Sequence, residues 1–274
     1  MTRIAVLQMT AGIDPAANAD TLAAAIAEAG RNGARIVFTP ELSGMVDRDD
    51  ARASRAVVRE EQDIVLARVR AAAAAAGLWV HLGSLIVRRD DGQWANRGFV
   101  IDGEGRIRAR YDKLHLFDVD LPTGERWRES AIYAPGETAN LVETPAGAMG
   151  LAICYDMRFP DLFRTLSDAG AELLSVPAAF TRPTGAAHWH VLLRARAIEA
   201  GAWLVAAGQA GRHADGRETY GHSLVVDPWG EIMLDMGEEA GLGFAEIDPA
   251  RTADVRARVP ALRHRRLIPD VLRS

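Results

Sequence analysis

"GLAICYDMRFPDLFRTLSDAGAELLSV", residues 150–176, reads as a complete strand–helix–strand unit. The run Gly150–Cys154 is short and apolar throughout, the pattern of a strand covered on both faces. In "FPDLFRTLSDAG" the apolar positions recur at helical spacing from Pro160, and Gly170 is the stop. "AELLSV" is then a second buried strand. The same alternation extends outward in both directions.

Toward the N-terminus, "RIAVLQM" is a strand and "NADTLAAAIAEAGRNGA" a capped helix ending at Gly30. "RIVFTPEL" is a short strand stopped by Pro40, and a helix from about Glu60 to Ala76 ends at Gly77. "LWVHLGSLIV" is a strand, "RRDDGQWANR" a hairpin connection, and "GFVIDGEGRIRARY" a second hairpin. Toward the C-terminus come the helix "AAHWHVLLRARAIEAG", the strand "AWLVAAG", the hairpin "GHSLVVDPWGEIMLD" and the closing strand "LGFAEID". About a dozen strands exceed what one open sheet carries comfortably, and the mixture of hairpins with βα units excludes a purely parallel sheet. The expected fold is α/β: two stacked mixed sheets with helices on their outer faces. No repeat or composition break divides residues 1–274, so a single domain is expected.

The bulk properties narrow the function. A chain of 274 residues, 49% hydrophobic and 25% charged, buries a substantial core. Its net charge of −5 argues against a nucleic-acid partner, which would want a basic surface. No window approaches the ~20 apolar residues of a membrane span, and "MTRIAVLQMTAGIDP" is too short in apolar residues for a signal peptide. One cysteine permits no internal disulfide and fits a reducing compartment. A cytoplasmic location is expected.

Among 32 basic residues only Lys113 is lysine. Where arginine serves almost everywhere, the surviving ammonium marks a position that a planar fork cannot fill. Glu41, Lys113 and Cys154 each fall where a strand gives way to a loop, the edge at which α/β sheets bind ligands. Together they suit nucleophilic catalysis. A thiol with pKa near 8.5 is only about 3% thiolate at neutral pH and needs activation. A lysine cation favours the thiolate and stabilises an oxyanion, and a carboxylate takes and returns the proton. A solvated glutamate is a poor acceptor for that proton, so Glu41 is expected to be buried with a raised pKa.

The blocks "FTPEL", "YDKLHLFDVDLPTGERWRES", "GLAICYDMRFPDLFRTL" and "AAFTRPTGAAHWHVLLRARAIEA" resemble, in order, those of the nitrilase superfamily of carbon–nitrogen hydrolases. "AAGQAGRHADGRETYGHSLVVDPWG" and "VPALRHRR" extend the likeness over nearly the whole chain and look most like the deaminated glutathione amidase branch, with the ω-amidase branch next. The resemblance implies a four-layer α-β-β-α sandwich and an amidase that converts a small linear carboxamide to acid and ammonia through a cysteine thioester. It makes Cys154 the nucleophile, Glu41 the general base and acid, Lys113 the oxyanion stabiliser, and Glu129 a second active-site carboxylate. The Tyr155 N–H completes an oxyanion hole. It also implies a homodimer or higher oligomer, with the tail from about residue 258 at the interface. No metal or organic cofactor is expected, because thiol and base suffice.

Arg158, Arg182 and Thr184 are candidates for anchoring substrate, and the loops Ser43–Ser54 and Leu121–Arg128 for setting its identity. His190 in "HWH" stands where the family commonly has glutamate. His188 and His190, two apart on a helix, face different ways and make a poor metal pair. His115 and His222 read as structural, bonding loop backbone. Arg194, Arg196 and Glu199 read as solvated or interface charges. A papain-like Cys–His pair lacks a local signature, a redox-sensing thiol lacks a resolving cysteine, and a non-catalytic scaffold leaves the four site residues unexplained.

Overall fold

The computed structural model describes residues 1–120, 124 and 126–273. Strand β1 (Thr2–Gln8) is followed by α1 (Pro15–Arg31), β2 (Ile36–Phe38), α2 (Asp50–Ala56) and α3 (Ile64–Ala76), then by β3 (Trp79–Arg88), β4 (Trp94–Ile101) and β5 (Ile107–Asp112). A ribbon of β6 (Asp118–Asp120) and β7 (Arg126–Arg128) leads to β8 (Leu141–Thr144) and β9 (Gly147–Leu151). Next come α4 (Pro160–Asp168), β10 (Leu173–Ser175), α5 (Arg182–Ala200) and β11 (Trp203–Ala206). A second ribbon, β12 (Ala210–Arg212) with β13 (Glu218–Tyr220), precedes β14 (Leu224–Val226), β15 (Ile232–Asp235), β16 (Gly241–Ile247), α6 (Pro249–Arg258) and α7 (Ala261–His264).

Local signals set the helix ends. The Asp14 side chain accepts from Ala16 N–H at the start of α1, and Asp63 does the same for Leu66 in α3. Gly77 closes α3 in the left-handed conformation at φ 59°. Asp63 also explains why α3 starts at Ile64: residues Glu60–Gln62 form a separate 3₁₀ turn before the cap.

Two six-stranded sheets result, ordered β16-β1-β2-β3-β4-β5 and β15-β14-β11-β10-β9-β8. In each, three central strands run parallel (β1-β2-β3 and β9-β10-β11) and antiparallel strands flank them. Alternation along the strands separates the layers. Ile4, Val6, Ile36 and Phe38 point into the core shared with the second sheet, while Ala5, Leu7 and Val37 pack with α1 and α3. Phe163, Leu166, Trp189 and Leu193 of α4 and α5 cover the other sheet. The layers are therefore α-β-β-α, as expected, and each large side chain fully buried in them contributes ~1.5–3 kcal/mol.

Five features were not expected from the sequence: α2, β8, α6 and the two ribbons. Each ribbon strand has three residues, too few for a periodic signal. The C-terminal tail winds one short helix at Ala261–His264.

His81 on β3 sits between the sheets, its Nε2 3.4 Å from Ser175 Oγ of β10 and its Nδ1 without a partner. Burial lowers its pKa from 6.5 to about 3. The folded imidazole is thus neutral where the unfolded one is protonated, so stability falls as pH drops from about 6.5 to about 3 and levels off below. A His81→Gln variant is expected to lack that part of the acid dependence, on the order of 4 kcal/mol. Urea titrations of both proteins at pH 7 and pH 4 measure it; parallel losses would remove His81 from the account.

Candidate functional site

Three strand ends converge. Glu41 lies just beyond β2, and its approach depends on Gly83 of β3. A Cβ there would stand 2.2 Å from Thr39 O and 2.3 Å from Pro40 O. Only glycine lets the two backbones come so close. Lys113 follows β5 and is 1% exposed. Cys154 follows β9, is buried, and holds φ at 47°, one of three non-glycine residues with positive φ among the described residues; Leu42, beside Glu41, is another. Such backbone strain persists only where surrounding bonds over-determine it.

Asp156 supplies those bonds. It is fully buried, and its Oδ2 accepts from Ile153 N (2.8 Å) and Tyr111 Oη (2.7 Å). Its Oδ1 lies 3.0 Å from His115 N and 2.7 Å from His115 Nδ1. One carboxylate thus ties the Cys154 turn to the end of β5 and to the loop carrying Lys113. His115 is structural as expected, although its partner is this carboxylate rather than loop backbone. Arg196 is buried rather than solvated, and its Nε donates to Met157 O at 2.8 Å, bracing the same turn.

The ionic centre is compact. Lys113 Nζ donates to Glu41 Oε1 at 2.9 Å and to both Glu129 oxygens at 3.0 and 2.9 Å. Glu41 also accepts from Asn96 Nδ2 (2.9 Å) and Ala179 N (2.8 Å), and Glu129 from Phe117 N (2.8 Å). Cys154 and Glu41 line the same cleft, with Lys113 and Glu129.

The sequence implied a raised pKa for Glu41, and the environment reverses it. Burial pushes the carboxyl up, but the Lys113 charge and the donated hydrogen bonds hold it below the ordinary range. Burial and the neighbouring Glu41 charge raise Glu129 despite Lys113. Burial opposes the charge on Lys113, yet the Glu129 and Glu41 charges lift its pKa well above the usual lysine value. Cys154 moves up as well, through burial and the Glu41 charge, against the pull of Lys113. The resting state is a neutral thiol beside an ionised Glu41 and a protonated Lys113.

A small cleft of ≈ 40 Å³ lies over this centre. Its walls include Phe117, Trp127, Tyr155, Phe180, Thr184 and Arg217. Thr184, a sequence candidate, faces the cleft and shares a 2.6 Å hydrogen bond with Thr181. The Tyr155 N–H has no acceptor among the described residues. Arg158 and Arg182 stand outside the lining. The Arg158 guanidinium lies 5.8 Å from the Tyr155 ring and 5.5 Å from the Phe180 ring, with His188 Nδ1 at 3.3 Å, and Arg182 pairs with Glu238 at 3.0 Å. Of the loop expected at Leu121–Arg128, residues 121–123 and 125 lie outside the described residues. Trp127 in that loop, and Arg217 between β12 and β13, carried no sequence signal beyond their residue types.

Away from the cleft, His190 Nε2 and His222 Nδ1 each meet one oxygen of Asp235, at 3.0 and 2.9 Å. His222 therefore bonds a carboxylate rather than the expected backbone. Among the described residues these three form the cluster whose ligand atoms converge, within 4.8 Å.

The carbon-nitrogen hydrolase family model matches residues 3–257. The chain is 41% identical over 273 residues to the deaminated glutathione amidase of Bos taurus, covering 98% of this chain and 82% of that protein. It superposes on the Caenorhabditis elegans NitFhit protein with a TM-score of 0.89 and 38% identity, covering 97% of this chain and 65% of that one. A glutamate-to-glutamine mutant of the amidase from Nesterenkonia sp. AN1, whose active-site cysteine carries acrylamide added in a Michael reaction, superposes with a TM-score of 0.79 and 30% identity, covering 95% of this chain and 98% of that one. On its sequence blocks, its sandwich and these likenesses, the chain belongs to the carbon–nitrogen hydrolases of the nitrilase superfamily.

Proposed function

We propose that the cleft hydrolyses a linear amide through Cys154, and the observation carrying this reading is the convergence of Cys154 with Glu41, Lys113 and Glu129 in one buried cluster. The thiol proton passes to Glu41 as sulfur bonds to the carbonyl carbon. Because the thiol pKa is raised and that of Glu41 lowered, transfer ahead of attack is uphill, and it is coupled to C–S bond formation. The oxyanion is held by Lys113 Nζ and the Tyr155 N–H. Glu129 positions Lys113 and keeps it charged. Protonated Glu41 gives its proton to the departing nitrogen as the C–N bond breaks, leaving a thioester. Water then loses a proton to Glu41, attacks the thioester and releases the acid, and the proton returns to sulfur.

The name of the Bos taurus relative supports deaminated glutathione as substrate. The amides of glutathione are secondary, so the leaving group there is an amine, whereas a primary amide releases ammonia. Rapid quenching during turnover is expected to trap an adduct with the mass of the acyl group on Cys154. Turnover with unmodified Cys154 at every time point would sink the thioester route.

The whole chain acts as one domain in this reading, working in the cytoplasm as a homodimer. No helix of the described residues is long and apolar enough to cross a membrane. Support for the dimer comes from Leu267, Ile268, Val271 and Leu272, which are 82–95% exposed in the tail and would be covered by a second copy. A sedimentation mass of a single chain would count against it.

A further inference from the structure

Helix α5 carries one side of a second ionisable group, outside the lining of the cleft. His190 stands on that helix, His222 in the connection between β13 and β14, and Asp235 at the end of β15. His190 Nε2 is 3.0 Å from Asp235 Oδ2, and His222 Nδ1 is 2.9 Å from Asp235 Oδ1. One ligand atom from each residue lies within 4.8 Å of the other two. His188, two positions away on α5, takes no part; its Nδ1 lies 3.3 Å from Arg158. The helix supplies one ligand, and the hairpin brings the others.

Bonds from outside the group hold it in place. Trp189 Nε1 donates to His222 O at 2.7 Å, and His222 N donates to Gly237 O at 2.6 Å. These contacts keep His222 at a φ of 51°. The Tyr220 ring stacks on the His222 ring with centroids 4.5 Å apart, which fixes the plane of the imidazole. Leu224, two residues beyond His222, pairs in register with Asp235, and Gly237 N donates to Asp235 Oδ1 at 2.9 Å. Burial raises the Asp235 carboxyl, but hydrogen bonds from His190, Gly237 N–H and His222 hold it below its ordinary range. The carboxylate is therefore ionised.

We propose that His190, His222 and Asp235 bind a late first-row divalent transition metal, with zinc the best fit, through two imidazole nitrogens and one carboxylate oxygen. Water fills the fourth position. Zinc bonds of about 2.0–2.2 Å to nitrogen and oxygen set tetrahedral ligands about 3.3–3.5 Å apart. The observed nitrogen–oxygen spacings of 3.0 and 2.9 Å need to open only slightly to admit the ion. Two nitrogens among three ligands select zinc, copper, nickel or cobalt over magnesium and calcium. The side chains of His190, His222 and Asp235 are 30%, 21% and 33% exposed, so ion and water can both reach them.

On binding, metal–nitrogen bonds replace the contacts between each ring and Asp235, and each neutral imidazole keeps its proton on the other nitrogen. The ion would tie α5 to the β14–β15 hairpin across the face of the sheet that α5 covers. It thus stabilises the fold and takes no part in amide hydrolysis, and the proposal stands apart from the amidase reading.

The test uses the untagged full chain carrying Cys154→Ala, so that the thiol cannot capture metal. Calorimetry with zinc chloride is expected to give one ion per chain, and excess zinc should raise Tm. His190→Gln keeps a side-chain donor for Asp235 without a ligating nitrogen, and Asp235→Asn keeps an acceptor for the rings without the charge. Each should weaken zinc binding at least about 100-fold and abolish the rise in Tm. His222→Asn, whose side chain tolerates the positive φ, serves as a third variant should either of these fail to fold. Magnesium chloride should neither bind nor shift Tm. Absence of zinc binding overturns the proposal. So does equal affinity in a folded variant, which would mean adventitious surface binding only, and so does magnesium bound as tightly as zinc.

Discussion

Replacing Cys154 with alanine is expected to lower amide hydrolysis by a factor on the order of 10⁴ or more, because a nucleophile acting in concert with its base leaves little residual route when removed. The fold should survive. The thiol makes no backbone hydrogen bond, and the turn around it is held by Asp156 and by the Cys154 N–H to Pro177 O bond at 2.9 Å. Alanine inherits the same positive φ, so that strain is unchanged. Cys154→Ser separates the two features a nucleophile needs. It keeps a proton-bearing heteroatom beside Glu41, but the hydroxyl is far harder to deprotonate than a thiol already raised by burial. Its activity should also fall by at least about 10³-fold. Steady-state release of amine, with circular dichroism to confirm folding, measures both. Hydrolysis by Cys154→Ala within tenfold of wild type would assign the chemistry elsewhere.

Lys113→Arg keeps a positive charge, yet a loss of about 10³-fold in kcat is expected. The ammonium is 1% exposed and spends its hydrogen bonds on Glu41 and both oxygens of Glu129. A guanidinium is larger and planar. It would take Glu129 in a bidentate pair, move away from Glu41 and overfill the space, costing about 1–3 kcal/mol of stability. Lys113→Met goes further, leaving two buried carboxylates without their cation, a change that typically costs about 3–5 kcal/mol. The sign of its pH dependence is distinctive. Without Lys113 the folded pKa values of Glu41 and Glu129 rise above those of the unfolded chain. Stability of Lys113→Met should therefore be highest below the ordinary glutamate range and fall as pH rises through the raised values. Urea titrations at pH 5 and pH 7 check it. A variant more stable at pH 7 than at pH 5 by the same margin as wild type would contradict the charge assignment.

Much of the site was legible before any coordinates, for reasons particular to each residue. Lys113 stood out because arginine fills every other basic position, and Cys154 because it is unpaired at the end of an apolar strand. Arg158, chosen for its closeness to Cys154 in the chain, and Arg182, chosen near a strand end, lie outside the cleft lining, while Arg217, far along the chain from Lys113 and Cys154, lies in it. Chain proximity says little about which of many arginines reaches a cleft built from distant segments. The ribbons bearing Trp127 and Arg217 were missed because strands such as "RWR" and "ETY" are too short to show a period.

By itself the sequence determined the order of strands and helices, the two stacked sheets, and the four residues that meet at the strand ends. Those follow from hydrophobic period, caps and turn residues, which act over a few positions, and from motif blocks in a recognisable order. Only the tertiary structure decided the protonation states and the unpaired donors. Glu41 is held ionised rather than raised, and Cys154 is held neutral, because three strand ends deliver opposing charges within hydrogen-bonding distance. Desolvation and Coulomb energy depend on separation in space, and a linear chain does not contain that separation.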